Sequence, residues 1–267
     1  MEVVGGRTLR VARWRWDMPD RHPPILFFNG IGANIEAVAP LAEALTERRF
    51  IMYDMPGVGG SPEPVVPYNP FIVAWLSKEL LTRFGVEQAD VMGVSWGGGM
   101  AQHFALQHGN RVHKLVLVAT SAGMLMVPGR PGALSKMANP RRYIDPDFMA
   151  QHYKTLYGGM VGGKREHIAR LTPPTPRGYI YQLLAMLGWT SAPALPFLKK
   201  DTLIMMGEAD SIVPPVNGQI LNKLIPGSRL ELFEGGGHLF MLSHKAQFLA
   251  SLRAFLDRPD TKLQAAA

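Results

Sequence analysis

Short apolar runs punctuate the chain, each bounded by turn-forming residues: Ile25–Phe28, Phe50–Tyr53, Val91–Val94, Leu115–Ala119 and Thr202–Met206. They are apolar at successive positions rather than alternate ones, which fits strands buried on both faces, as in a parallel sheet. Leu230–Phe233 is also strand-like. Between the runs the period changes. Ile35–Leu45, Phe71–Phe84, Trp96–Leu106 and Ser243–Leu256 repeat apolar residues three and four positions apart, which predicts helices with one buried stripe. Strand alternating with helix predicts an α/β domain: a mostly parallel, doubly wound sheet with helices on both faces. Ahead of it, Leu9–Trp14 alternates as a strand, and Gly5-Gly6 predicts a hairpin turn.

The alternation fails between about Gly123 and Leu198, where prolines are frequent and no good strand is visible. One helix starts at Asp145 as N-cap with Pro146 in first position. Phe148, Met149, His152, Tyr153, Leu156 and Tyr157 follow at helical spacing, and Gly158-Gly159 predicts the stop. Another spans about Tyr179 to Leu187 and stops at Gly188. A helical insert between two core strands predicts a cap over the sheet's carboxyl edge, where such sheets hold their ligands. Residues 1–122 and 199–267 then form the core and 123–198 the cap. The tail Thr261–Ala267 reads as frayed.

Composition narrows the chemistry. The 267 residues are 47% hydrophobic and 18% charged, an ordinary globular balance. There is no cysteine, which removes disulfides, thiolate metal sites and cysteine nucleophiles and suits a reducing compartment. Met1–Asp17 carries Arg7, Arg10, Arg13 and Arg15 and no signal-peptide core, and no stretch reaches the ~20 apolar residues of a membrane helix. A cytoplasmic, soluble protein is expected. The net charge is +7, but the basic pairs Arg48-Arg49, Arg141-Arg142 and Lys199-Lys200 lie far apart. That pattern reads as a solvated surface rather than a nucleic-acid site, and leaves open an attraction to anionic surfaces or storage granules. No cofactor is expected: no His/Asp/Glu cluster has metal-ligand spacing, and Gly57-Val58-Gly59-Gly60 has neither the lysine of a phosphate loop nor a full dinucleotide fingerprint.

Gly93-Val94-Ser95-Trp96-Gly97 carries the strongest chemical signal. It follows an apolar strand and opens a helix, the setting of a nucleophile elbow, in which a sharp turn lifts the serine above the sheet. A serine hydroxyl needs a base, and the base an orienting acid. In α/β-hydrolase order the acid and then the histidine follow the serine. Asp210 falls in the turn after Thr202–Met206, and His238 follows Gly235-Gly236-Gly237 after Leu230–Phe233, so both reach the edge that holds Ser95. Glu208 is a competing acid nearer the strand end, and Asp54 a further one that comes early in the chain. Asn29-Gly30-Ile31-Gly32 follows the first core strand, and the Ile31 and Trp96 amides are the expected oxyanion hole. Asp54–Ser61 reads as scaffolding beside the site. Met124, Leu125, Met126, Val127, Leu183, Met186 and Trp189 are candidates for an acyl pocket under the cap, with plain core packing the competing role.

Whole words of the sequence support a narrower reading. Asn29-Gly-Ile-Gly-Ala-Asn34, Asp54-Met-Pro-Gly-Val-Gly-Gly60, Gly93-Val-Ser-Trp-Gly-Gly98, Val127-Pro-Gly-Arg-Pro131, Pro140-Arg-Arg-Tyr143 and Leu187-Gly-Trp-Thr-Ser191 together resemble the intracellular medium-chain-length polyhydroxyalkanoate depolymerases. The elbow words are common among α/β-hydrolases; the cap words are more telling. The resemblance implies an α/β-hydrolase fold, a Ser95–Asp210–His238 triad and a granule-stored polyester of 3-hydroxy acids as substrate. Glu208-Ala209 before Asp210 and the glycines before His238 depart from the more acidic residues it leads one to expect. The related polymerases place cysteine at the elbow, so Ser95 favours degradation. A carboxylesterase or lactonase of small soluble esters is the nearest alternative, and a non-catalytic receptor of the same fold a remote one.

Overall fold

Strands apolar at every position need a packing layer on each side, and the chain supplies both. The computed structural model describes residues 1–19, 21–139, 141–157 and 164–259. A small hairpin, β1 (Glu2–Val4) with β2 (Arg7–Leu9), turns at Gly5-Gly6. The main sheet holds β3 (Val11–Trp14), β4 (Ile25–Phe28), β5 (Phe50–Tyr53), β6 (Ala89–Val94), β7 (Val112–Val118), β8 (Thr202–Gly207) and β9 (Arg229–Phe233), in the order β3-β5-β4-β6-β7-β8-β9. Only β3 runs antiparallel to its neighbour; the remaining pairs are parallel.

Along each strand successive side chains point to opposite faces. Ile25, Phe27, Phe50, Met52, Met92 and Val94 enter one apolar layer with Leu41 of α1 (Ile35–Ala44) and Phe248 and Leu252 further down the chain. Leu26, Phe28, Ile51, Tyr53 and Val91 enter the other, against Leu76 and Leu80 of α2 (Pro70–Arg83) and Met100 and Phe104 of α3 (Trp96–Gln107). Each fully buried side chain of this size contributes on the order of 2 kcal/mol.

The excursion between β7 and β8 is helical: α4 (Pro131–Ala138), α5 (Arg141–Ile144), α6 (Pro146–Tyr157), α7 (Lys164–Arg170) and α8 (Pro176–Met186). Asp145 caps α6 as expected, its Oδ1 accepting from Phe148 N at 3.0 Å. The expected stop at Gly158-Gly159 and the tail Thr261–Ala267 lie outside the described residues. Two further helices, α9 (Val216–Leu224) and α10 (Phe240–Ser243), precede α11 (Lys245–Leu256). No helix among the described residues is long and apolar enough to cross a membrane.

Three details differ from the sequence-based expectation. Leu9–Trp14 is broken at Arg10, whose N–H donates to Ser61 Oγ at 2.9 Å instead of joining a strand ladder. The last helix is interrupted at His244 (φ −114°, ψ 36°), giving α10 and α11. The helix α9 was not foreseen; nine residues are too short a window for the 3.6 period to stand out.

Topology places the working edge. The chain leaves β4 for β5 on one side, then crosses to β6 on the other, so the winding reverses between β4 and β6. The crevice beyond the carboxyl ends of those two strands is where an open α/β sheet binds its ligand. The parallel register pairs Phe28 with Gly93, which sets the loop after β4 beside the turn after β6.

Candidate active site

Ser95 sits between β6 and α3 with φ 56° and ψ −120°, a left-handed backbone that a side-chain-bearing residue adopts rarely. The neighbouring glycines explain how the turn closes. A Cβ on Gly97 would come within 2.1 Å of the Phe28 carbonyl oxygen, and one on Gly93 within 2.2 Å of the Gly97 oxygen. Ser95 N donates to Val118 O at 2.9 Å and Thr120 Oγ1 donates to Ser95 O at 2.7 Å, which ties the elbow to β7. The Ser95 side chain does not cap α3, so its hydroxyl stands at the positive end of that helix without being spent on it.

Asp210 and His238 meet. Their loops leave adjacent strands, and close approach of Gly207 to the Gly236 carbonyl, where a Cβ would lie 2.4 Å away, holds the loops together. Asp210 Oδ2 lies 2.7 Å from His238 Nδ1, while Oδ1 accepts from the Ile212 and Val213 amides at 2.8 and 2.9 Å. Both side chains are buried. A carboxylate only accepts, so this contact puts the imidazole proton on Nδ1 and leaves Nε2 as the basic nitrogen. His238 is fixed from the other side too: its N–H donates to the Tyr157 carbonyl at the end of α6, and the Tyr157 ring stacks on it at 6.4 Å between centroids.

The competing acids stand elsewhere. Glu208 is exposed. Asp54 is buried, and burial pushes its carboxyl up against the opposing effect of its hydrogen bonds. Its oxygens are taken by Ile35 N at 2.8 Å and Gly60 N at 2.9 Å, so it fastens the start of α1 to the loop after β5.

One cavity is lined by Ser95, His238 and Ile31 together. Gly30 approaches Ser95 closely, and Gln182 of α8 braces this corner, its side-chain oxygen accepting from Gly32 N at 2.8 Å and its carbonyl from the Trp96 indole at 2.9 Å. Trp96 is the first residue of α3, where a backbone N–H has no carbonyl one turn back within the helix.

The remaining lining differs from the expected acyl pocket. Val38, Met137, Leu171, Leu239 and Met241 supply its apolar wall. None of Met124, Met126, Leu183, Met186 and Trp189 lines it, nor do Leu125 and Val127. Met124 is 63% and Leu183 49% exposed. Met126 packs at the edge of the core beside Ser121 Oγ. Met186 and Trp189 press on Gly99 of α3, and the Trp189 indole donates to His103 Nδ1 at 3.1 Å. Met186 and Trp189 thus cover the helix behind Ser95 rather than the space in front of it.

Sequence reasoning missed Arg142 and His167, which line the cavity and are 4% and 8% exposed. Arg142 lies within the Pro140–Tyr143 word, so a signal was present; His167 had none. Burial lowers the His167 imidazole to about 4, with the Arg170 charge adding to it, so the ring is neutral at pH 7.

Residues 23–156 and 167–245 match the sequence model of the alpha/beta hydrolase fold. A poly(3-hydroxyalkanoate) depolymerase of Ectopseudomonas oleovorans is 40% identical over 242 residues, spanning 88% of this chain and 84% of its own. The chain belongs to the poly(3-hydroxyalkanoate) depolymerase family of α/β-hydrolases. It is an ester-hydrolysing enzyme. More distant kin of this depolymerase-family chain include a 2-hydroxymuconate semialdehyde hydrolase of Pseudomonas putida, 28% identical over 96% of this chain and 95% of that protein. Among solved structures, an esterase from Exiguobacterium antarcticum superposes with a TM-score of 0.81 over 96% of this chain and 98% of its own, at 22% identity, a likeness of fold.

Proposed function

We propose that the enzyme degrades a polyester of 3-hydroxy acids with medium-length side chains, with Ser95 as nucleophile, His238 as general base and Asp210 as its orienting acid. The observation that carries the reading is the buried Asp210–His238 contact at 2.7 Å opening onto the same cavity as the strained Ser95. The 40% identity to a named depolymerase supports the polymer as substrate.

His238 Nε2 takes the Ser95 proton as Oγ attacks the ester carbonyl. The Ile31 and Trp96 amides receive the oxyanion, each donor of this kind contributing ~3 kcal/mol to the transition state. The carbon–oxygen bond to the alcohol half breaks, and the proton on His238 passes to that leaving oxygen. Water, deprotonated by His238, then hydrolyses the acyl-enzyme and frees Ser95.

Residues 123–198 act as the cap. In this reading α4 to α7 roof the cavity through Met137, Tyr157 and His167. Ile180, Leu183, Leu184 and Leu187, on or just after α8, leave an apolar face in solvent that suits the surface of a storage granule. The cytoplasm is the compartment that fits a cysteine-free chain working on such granules.

The apolar wall predicts chain-length selectivity, since each methylene withdrawn from water gains about 0.8 kcal/mol. Nitrophenyl octanoate is expected to be cleaved faster than nitrophenyl acetate. A suspension of medium-side-chain polymer is expected to release 3-hydroxy acids, and the short-side-chain polymer little. A flat profile from acetate to decanoate with no acid released from polymer would reduce the enzyme to an esterase of small soluble esters.

A further inference from the structure

Gln182 of α8 is 1% exposed and does not line the cavity, so contact with a substrate held there is not its role. Its polar atoms point toward the backbone around the nucleophile instead. Its side-chain Oε1 accepts from Gly32 N at 2.8 Å, and its backbone carbonyl accepts from the Trp96 indole at 2.9 Å. Gly32 follows Ile31, and Trp96 opens α3 directly after Ser95. One residue of the insert therefore ties the loop after β4 to the first residue of the helix behind Ser95.

That loop needs an outside hold. Ile31 lies between Gly30 and Gly32, and Gly32 has φ 68°, so the peptide planes on either side of Ile31 can turn at low cost. Asn29 closes the loop on itself: its Oδ1 accepts from Gly30 N at 2.9 Å and its Nδ2 donates to Asn34 O at 2.9 Å. The bond to Gln182 sets the closed loop against the elbow. Meanwhile α8 is anchored apart from this side chain. Thr175 N donates to Gly57 O at 2.8 Å, and a Cβ on Gly178 would lie 2.4 Å from that same oxygen. At its other end Met186 presses on Gly99. Replacing the Gln182 side chain thus removes the link to Gly32, while α8 and the backbone bond to Trp96 persist.

Resting on the reading that the Ile31 and Trp96 amides receive the oxyanion, we infer that Gln182 is a positioning residue for the oxyanion hole. It acts from the insert, through Gly32, and holds the Ile31 peptide at the distance from Ser95 that the tetrahedral intermediate requires. A displacement of about 1 Å in such a group costs on the order of a hundredfold in rate.

The test separates binding of the ester from stabilisation of its oxyanion. Gln182→Met is expected to lower kcat for nitrophenyl octanoate about tenfold or more and to move KM less than about threefold, since a misplaced donor weakens the transition state rather than the bound ester. An octyl trifluoromethyl ketone reports on the oxyanion directly. Ser95 Oγ adds to its carbonyl carbon, the Ser95 proton passes to His238, and the carbonyl oxygen becomes the oxyanion with no group leaving. Its affinity is expected to fall by the same factor as kcat/KM. Inhibition by 1-octanol, which forms no oxyanion, is expected to stay the same. Gln182→Glu keeps an acceptor toward Gly32 N in either protonation state and is expected to recover most of kcat. Should Gln182→Met fail to fold, Gln182→Asn, which withdraws the oxygen from Gly32 by one methylene, is read in the same way. Unchanged kcat and ketone affinity in the folded variant, or ketone and octanol weakened alike, would overturn the positioning role and leave hydrolysis through Ser95 standing. Failure of the wild type to form a ketone adduct on Ser95 would overturn the triad reading as well.

Discussion

Ser95 holds a backbone conformation that costs about 1–3 kcal/mol for a residue with a side chain, and the surrounding contacts hold it there. With Ser95 as the proposed nucleophile, this strain sets stability against activity at this residue. Ser95→Gly is expected to abolish ester hydrolysis and to raise the stability of the fold by about 1 kcal/mol, read as an upward shift in the urea midpoint. A lower midpoint would mean that the serine side chain contributes packing not evident around it. The acid is tested by comparing two carboxylates. Asp210→Asn is expected to reduce turnover by roughly three to four orders of magnitude, because an amide at Oδ2 favours the wrong His238 tautomer. Glu208→Gln, at an exposed position, should change it little. The reverse ranking in steady-state kinetics would move the acid to Glu208. The positions of Ser95, Asp210 and His238 are legible in the sequence because each follows an apolar strand at a glycine-bearing turn. The burial of Arg142 and His167 is not, because a buried arginine or histidine in a helical segment looks the same in sequence as one in solvent; only Arg142 had a signal, in the Pro140–Tyr143 word.

At the level of elements, two of the words that resemble the depolymerases act as fastenings. In Val127–Pro131, Asn217 of α9 binds the backbone of Val127 twice, its Oδ1 accepting from N at 2.8 Å and its Nδ2 donating to O at 2.9 Å. Arg130 N donates to Ser211 O at 2.8 Å, beside Asp210. In Leu187–Ser191, Ser191 Oγ lies 2.6 Å from Gln102 Oε1, and Trp189 reaches His103, so this stretch is bolted to α3. The first word fixes the Asp210 loop and the second the helix behind Ser95. Asn217→Ala is therefore expected to cost about 1–3 kcal/mol in urea unfolding, because it removes both hydrogen bonds from the buried Asn217 side chain to the Val127 backbone. It should also lower turnover by loosening the acid loop. An unchanged midpoint would show that water replaces the side chain there. The acyl-pocket expectation failed at this same scale. Apolar residues of the insert can serve the cavity or the back of α3, and the sequence records that they are apolar without recording which face they meet.

Across the whole molecule, the strands and the order of the sheet-forming elements are readable because burial on both faces leaves unbroken apolar runs. The switch of winding between β4 and β6 is not visible in those runs; it emerges from pairing, and it places the Asn29–Asn34 loop beside the elbow. The fold thus brings together groups separated by more than a hundred residues: Ser95 after β6, Asp210 after β8 and His238 after β9. The claim on which the account rests is that Ser95 is the nucleophile of this assembly. Its most direct test is peptide mapping by mass spectrometry after inactivation with a long-chain alkyl phosphonate. One adduct is expected, on the peptide that carries Ser95, forming in step with the loss of esterase activity and absent in Ser95→Ala. An adduct on another residue forming at that same rate, or full inactivation with Ser95 unmodified, would contradict it.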